Sequence, residues 1–552
     1  MKRKNLFMTF IFILMLSLVV AACGKTEDTS SSEGVEETEQ EQEQTEEEAT
    51  EPEEEAKPKE LVFGRGGDSV DLDPAIVTDG ESMKVAKNIY DTLVEYGDQD
   101  TTINPSLAED WDISDDGLVY TFKLQQGVKF HDGTDFNADA VVYNFERWAN
   151  GSKGEFYYYG SMFGGFKGEE GHVISEVLAE DEYTVKFTLA VPQSPFLKNL
   201  AMTPFSIASP SAIEEFGDNF TENPVGTGPF VFKEWKRDER IVLEKNTDYW
   251  LANYPLLDKV TFMAIPDNAA RFNALQSGEI DLMDGINPSD VDLAASNGDL
   301  QVFERPSMNV GYLGLTSTRG PLQEKLVRQA LNHAVDKEAL ITAFYAGQAE
   351  PAKNPMPPSI SGYNDDIVDY PYDLDKAKEL LAEAGYPDGF EMELWAMPVP
   401  RPYMPEGQKV AEVLQAEFAK IGVTANIVTF DWGTYLDKAR DGEADTFLLG
   451  WTGDNGDADN FLNVLLGGDS IGGNNYSYYN NAEVNELLKE AQTTADEDTR
   501  NDLYKQAQEI IKDDAPWIPL VHSKPMLAGK ANITGFLPHP TGSDKLTKVD
   551  FK

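Results

Sequence analysis

A single cysteine, Cys23, stands in 552 residues. That scarcity excludes a disulfide framework and any cysteine-based zinc site. Histidine is almost as sparse. Its five copies, at 131, 172, 333, 522 and 539, show no metal-ligand spacing, so neither a metal nor another cofactor is expected. Positive charge is short too, with 45 Lys and Arg against 97 Asp and Glu and a formal charge of −52. This excludes nucleic acid as a partner, because phosphates need clustered cations. There is no P-loop, no dinucleotide glycine motif and no nucleophile elbow, so no enzyme class is indicated. Paired carboxylates for glycoside hydrolysis are the enzymatic alternative that the acid-rich loops leave open.

What is present suits a large globular protein. Hydrophobic residues make up 41% and aromatics 11%, ample for burial, and the length calls for at least two lobes. The one cysteine is placed at a telling point. Lys2, Arg3 and Lys4 precede an apolar run, 6–22, which ends at Cys23-Gly24. A basic segment followed by an apolar one is the pattern of a secretory signal. The run is near the length of a membrane span, so an uncleaved anchor is the alternative. Residues 24–60 hold sixteen acidic and three basic residues with almost nothing apolar. Such a segment cannot bury enough surface to offset its ordering entropy, and reads as an extended tether.

The stretch that organises the rest is "GWTGDNGDADNF", 450–461. The apolar run 446–449 reads as a short buried strand, after which glycine, asparagine and aspartate force a tight polar loop. Loops at the ends of buried strands are where α/β proteins place ligand contacts. Asp454, Asp457 and Asp459 have no lysine or arginine beside them in sequence. They could be helix caps, a metal cradle or a seat for a cation. A calcium loop of the EF-hand kind fails, since the twelfth residue from Asp454 is Leu465 rather than glutamate.

Elsewhere, 84–96 has helical spacing, 119–124 alternates as a strand, and 138–148 reads as a helix capped near Asn137. Residues 173–179 and 183–190 read as an antiparallel pair. "HDG" at 131–133 reads as a turn, 226–229 ("GTGP") as a tight turn entering a strand, and His333 as a packed or capping side chain within a helix.

The block "LAEDWDISDDGLVYTFKLQQGVKFHDGTDFNADAVVYNFERW" (107–148) resembles the signature of the peptide- and nickel-binding family of extracellular solute-binding proteins. "NPVGTGPFVFKEWKRDERIVLEKNTDYW" (223–250), "RFNALQSGEIDLM" (271–283) and "VRQALNHAVDKEALI" (327–341) are similar to further blocks of that family. The resemblance covers 61–552. These proteins serve ABC importers. It implies an α/β fold of two lobes, of the periplasmic-binding-protein type, with a two-strand hinge and an extra subdomain in the first lobe. Lobe I would comprise 61–307 plus 521–552, and lobe II 308–520. The crossings would be "FERPSMNVGYLGL" (303–315) and "PWIPLVHSKP" (516–525).

"VAAC" at 20–23 resembles the lipobox of bacterial lipoproteins. That likeness implies removal of 1–22, a lipid on Cys23, a tether over 23–60 and a place on the extracellular face of the cell membrane.

Within the family the dipeptide-binding members are most similar, through "GWTGD" and through "ELWAMPVPRPYMPEG" (393–407). The resemblance implies that Asp454 holds a peptide's α-ammonium and Arg401 its α-carboxylate. "PYMPEGQ" departs from the polar Pro-Asn segment expected there, which bears on the neighbouring side-chain pocket. A dipeptide's termini lie about 7 Å apart, so a fixed anion and a fixed guanidinium would act as a ruler. Thr78 and Gly80 are backbone or hydroxyl contact candidates from the first lobe. Gly453 belongs to the same motif as Asp454, and Trp451, Tyr403 and Tyr158, the last within Tyr157-Tyr158-Tyr159, are pocket-wall candidates. Asp457 and Asp459 read as loop and cap residues. The expected protein is a monomeric, non-catalytic receptor for a short peptide, with permease subunits as its partners. Oligopeptides, glutathione and nickel or haem chelates are the alternative cargoes.

Overall fold

The computed structural model describes residues 58–552. Cys23, the apolar leader and nearly all of the acidic stretch lie outside these residues. The first strand opens at Glu60, the last residue assigned to the tether.

Three larger sheets carry most of the chain, beside two of two strands each. The first has seven strands in the order Leu300–Glu304, Met526–Lys530, Leu282–Met283, Glu60–Arg65, Lys259–Ala264, Arg240–Lys245 and Phe230–Lys236. The second has six, in the order Ala349–Pro351, Trp517–Ser523, Asn309–Leu315, Thr446–Thr452, Glu391–Trp395 and Thr424–Val428. Both mix parallel and antiparallel neighbours. The third is a four-stranded antiparallel meander with one strand reordered: Ala108–Ile113, Val119–Leu124, Thr184–Leu189, Ile174–Asp181. Its core is aromatic, with Phe122, Phe145, Trp148, Phe163, Phe187 and Phe196 buried together.

The chain leaves the first sheet after Glu304, enters the second at Asn309, and returns between Ser523 and Met526. These two passages run side by side. Arg305 N donates to the Pro525 carbonyl at 2.9 Å, and Asn309 Nδ2 donates to the Ser523 carbonyl at 3.0 Å. Two adjacent connections restrict relative motion to a defined path, the geometry of a hinge.

Alternation and capping were reliable guides. The strand Val119–Leu124 and the helix Ala138–Ala149 form where expected, and Asn137 Oδ1 caps the latter by accepting from Ala140 N at 3.1 Å. The helical reading of 84–96 needs correction: the helix is Gly80–Ile89, and Val94–Tyr96 is a strand paired with Ile103–Pro105. His333 is the last residue of its helix, Lys325–His333, and its Nδ1 meets the Pro371 carbonyl at 2.9 Å.

Candidate functional site

The strand Thr446–Thr452 sits inside the second sheet, its first five residues buried and its last two half-buried. At its end Gly453 N donates to the Met308 carbonyl at 2.9 Å. A Cβ on Gly453 would lie 2.8 Å from the Phe461 ring, so only glycine allows this close approach. The loop then turns back to the helix Asp459–Leu466.

Asn460, in the first turn of that helix, organises the loop. Its Oδ1 accepts from Trp451 Nε1 and from Asp454 N, both at 2.9 Å, while its Nδ2 donates to Asp454 Oδ2 at 3.0 Å. From the first half of the chain, the Tyr158 hydroxyl donates to Asp454 Oδ1 at 3.2 Å. Trp451 is thus a positioning partner of the loop, and Tyr158 a direct neighbour of the carboxylate.

The three loop aspartates divide by electrostatics. Asp457 is buried and accepts both Arg500 guanidinium nitrogens, at 2.9 and 2.5 Å, with Lys198 Nζ at 3.7 Å. Burial pushes it upward, yet the two cations hold it below its ordinary pKa. It also receives Asp459 N at 3.0 Å, a turn-stabilising contact that fits the reading of a structural loop residue. Asp459 is pushed up to about 7 by burial and by the Asp457 charge, and takes a 3.2 Å bond from Gln492. Asp454 has no cationic partner among the described residues. Burial raises it to about 6, against the lowering effect of the Asn460 and Tyr158 hydrogen bonds. It is a carboxylate held by neutral donors alone.

The loop meets the first half of the chain along its whole length. Lys198 Nζ donates to the Gly456 carbonyl at 2.8 Å, and Asn455 Nδ2 to Asn199 Oδ1 at 2.8 Å. Gly456 has φ +65°, and a Cβ there would lie 2.0 Å from Thr101 Oγ1. Beside this seam is a cavity of about 270 Å³, near the small end for ligand pockets. Thr452, Gly453 and Asp454 form one wall; Thr78, Gly80 and Tyr158 contribute from the other side. Asp454, Gly453, Tyr158, Thr78 and Gly80 therefore share one cavity. A Cβ at Gly80 would meet nothing within 4 Å, so that wall is open space.

Arg401 and Tyr403 occupy a different place. Arg401 is exposed, does not line the cavity, and stacks over Trp432 at 5.4 Å. Its Nη1 donates to the Pro400 carbonyl at 3.1 Å, and it has no acidic partner among the described residues. Tyr403 is buried against the second sheet. Its ring fills the space above Gly450, and its carbonyl accepts the Tyr345 hydroxyl at 2.8 Å. Tyr159 belongs to the aromatic core and bonds His172 at 2.9 Å. The HDG turn is structural: His131 meets the Gly228 carbonyl at 2.9 Å, and Asp132 accepts the Ser209 hydroxyl at 2.5 Å.

Two contributors were not legible in sequence. Asn460 offers a local signal, an amide six positions after Asp454 at a helix start. The cavity wall built by Gly535, Leu537, His539, Thr541, Ser543 and Lys545 offers none, being a non-periodic segment brought in by tertiary packing.

A sequence profile of the bacterial extracellular solute-binding proteins, family 5, matches residues 102–473. The chain belongs to that family. Heme-binding protein A of Haemophilus influenzae is 41% identical over 494 residues, covering 86% of this chain and 89% of that protein. The dipeptide-binding protein of Escherichia coli is 39% identical over 512 residues, covering 90% and 95%. Among solved structures, a periplasmic binding protein from Helicobacter pylori in complex with the peptide STSA superposes with a TM-score of 0.78 at 38% identity. It covers 90% of this chain and 98% of its own. This family-5 chain is therefore an α/β protein of the two-lobed binding type. Its relatives bind solutes and are not enzymes. Among the described residues no helix is long and apolar enough to cross a membrane, and no group of three or more His, Cys, Asp or Glu could hold a metal ion.

Proposed function

We propose that the protein is a lipid-anchored extracellular receptor of an ABC importer, capturing dipeptides or other short peptides between two closing lobes and delivering them to the permease. The observation that carries this reading is Asp454: a carboxylate at the seam between the two sheets, lining a small cavity, with neutral donors around it and no cation. A peptide α-ammonium supplies the missing charge, and supplies it only when both walls of the cavity are in place. Ligand contacts that exist only in the closed state drive closure by population shift.

Arg401 is the proposed partner of the ligand's α-carboxylate; its planar fork is free of any acidic side chain, as such a role requires. Thr78, Gly80, Gly453 and Tyr158 line the peptide's path, Trp451 braces the loop, and Tyr403 backs the segment that carries Arg401. Lobe I is assigned to 61–307 plus 521–552 and lobe II to 308–520, with the crossings within 303–315 and 516–525 as the hinge. Cys23 carries the lipid, 23–60 forms the tether after loss of 1–22, and the receptor is a monomer.

The test is calorimetric titration of protein unfolded and refolded to strip carried-over ligand. Dialanine is expected to bind and tetra-alanine to bind much more weakly. Equal binding of tetra-alanine would replace the dipeptide reading by an oligopeptide one, as the relative solved with STSA allows. Silence from both would move the search to glutathione and to haem, the latter favoured by the name of one relative.

A further inference from the structure

Six charged side chains line the cavity: Asp454, Glu95, Asp98, Lys87, Lys545 and Lys548. Four of them pair with one another. Lys545 Nζ lies 2.7 Å from Glu95, with Asp91 behind it at 3.2 Å, and Lys548 Nζ lies 2.7 Å from Asp98. That leaves one anion and one cation. The anion is Asp454. The cation is Lys87, in the last turn of the helix Gly80–Ile89, whose ammonium makes no hydrogen bond or ion pair among the described residues.

From this pairing pattern we infer that Lys87 is a second ligand-binding cation, against which a carboxylate of the bound solute rests inside the cavity. The inference rests on the peptide-receptor reading and extends it to the ligand's charge. Most lysines on the strongly acidic surface of this protein find a carboxylate; Lys84, three residues earlier on the same helix, has both Glu81 and Asp284. Lys87 is half-buried and finds none, an arrangement that costs solvation and is compensated once an anion arrives. Burial and the neighbouring Lys545 ammonium push it down to about 8 against the raising effect of the more distant Glu95 and Asp91, which still leaves it mostly charged at neutral pH. With Asp454 across the same cavity, the free charges match a solute bearing one ammonium and a carboxylate. With the α-carboxylate assigned to Arg401, that carboxylate is an acidic side chain's; if it is instead the C-terminus, Lys87 takes the place given to Arg401.

The experiment titrates the purified full chain and its Lys87→Met and Lys87→Arg variants with Ala-Ala and Ala-Glu. Lys87→Met is expected to weaken at least one of them by about tenfold to a hundredfold, with Lys87→Arg largely restoring affinity. Loss confined to Ala-Glu assigns the subsite to an acidic side chain; equal loss for both assigns it to the C-terminus and removes Arg401 from that role. Unchanged affinities in Lys87→Met overturn the inference while leaving the peptide reading intact. Should neither peptide bind the unmodified protein, glutathione, which has two carboxylates, takes their place. Its binding with sensitivity to Lys87→Met would retain the Lys87 subsite and reject the dipeptide reading. Its binding without that sensitivity, or no binding at all, would reject both.

Discussion

The Tyr158 hydroxyl donates to Asp454 Oδ1 at 3.2 Å across 296 positions of sequence. One belongs to the part of the chain that carries the four-stranded sheet, the other to the loop leaving the six-stranded sheet. A phenol and a carboxylate here do what a closing receptor needs: they orient the anion without neutralising it. Replacing Tyr158 by Phe removes that orientation and leaves the carboxylate less well solvated. Calorimetry is expected to show free-amine dipeptides binding up to about tenfold more weakly, with the fold unchanged by circular dichroism.

Asp454 is a source of instability in the empty protein. Its carboxyl titrates near 6 in the folded state instead of the ordinary 3.8, so the folded protein resists its ionisation. The penalty is absent below pH 3.8 and fully present above pH 6, where it amounts to at most about 3 kcal/mol, less where cavity water screens the charge. Asp454→Asn is therefore expected to raise the melting temperature at pH 7–8 and to have little effect at pH 4. Binding of dipeptides should fall by two orders of magnitude or so, because the ammonium loses its counter-charge. A variant that melts lower than the parent at pH 8 would contradict this account.

The same carboxyl sets the pH dependence of binding. A free amine needs Asp454 ionised, so affinity is lost as pH falls through about 6. Between pH 7 and pH 5 the dissociation constant of dialanine should rise about tenfold. In Asp454→Asn that slope should vanish, which separates this group from every other titrating side chain.

Arg500 and Asp457 hold the loop from behind. Their two hydrogen bonds, at 2.9 and 2.5 Å, join a buried carboxylate to a half-buried guanidinium, with Lys198 as an additional cation at 3.7 Å. Arg500→Met strands the Asp457 charge and is expected to cost about 3–5 kcal/mol in urea unfolding. Since Asp457 titrates below its ordinary value, the stability it lends is present above pH 3.8 and is lost as pH falls further. Asp457→Asn combined with Arg500→Met should recover part of the loss.

The sequence made the polar loop and its strand legible, because hydrophobic alternation and turn residues act locally; the role given to Asp454 came from the family resemblance, and Asp459 is the first residue of its helix rather than its cap. The sequence was misleading at 84–96. Apolar residues at 85, 89 and 93 continue a helical period, but tertiary contacts stop the helix at Ile89. Gly226 and Gly228 press onto that backbone so closely that a Cβ on Gly226 would lie 2.3 Å from the Ile89 carbonyl oxygen. Asp91 is drawn to Lys545, Trp250 and Thr227, contacts far away in sequence. The pairing that leaves Lys87 free depends on Lys545 and Lys548, more than 450 residues away, and no local pattern could reveal it.

The most direct measurement compares dialanine with N-acetyl-dialanine on refolded protein by calorimetry. Binding of dialanine with loss of at least about a hundredfold on acetylation would agree with an ammonium seated on Asp454. Equal affinity for the two would show that the amino terminus is not held there, and Asp454 would have to be reassigned to a purely structural role.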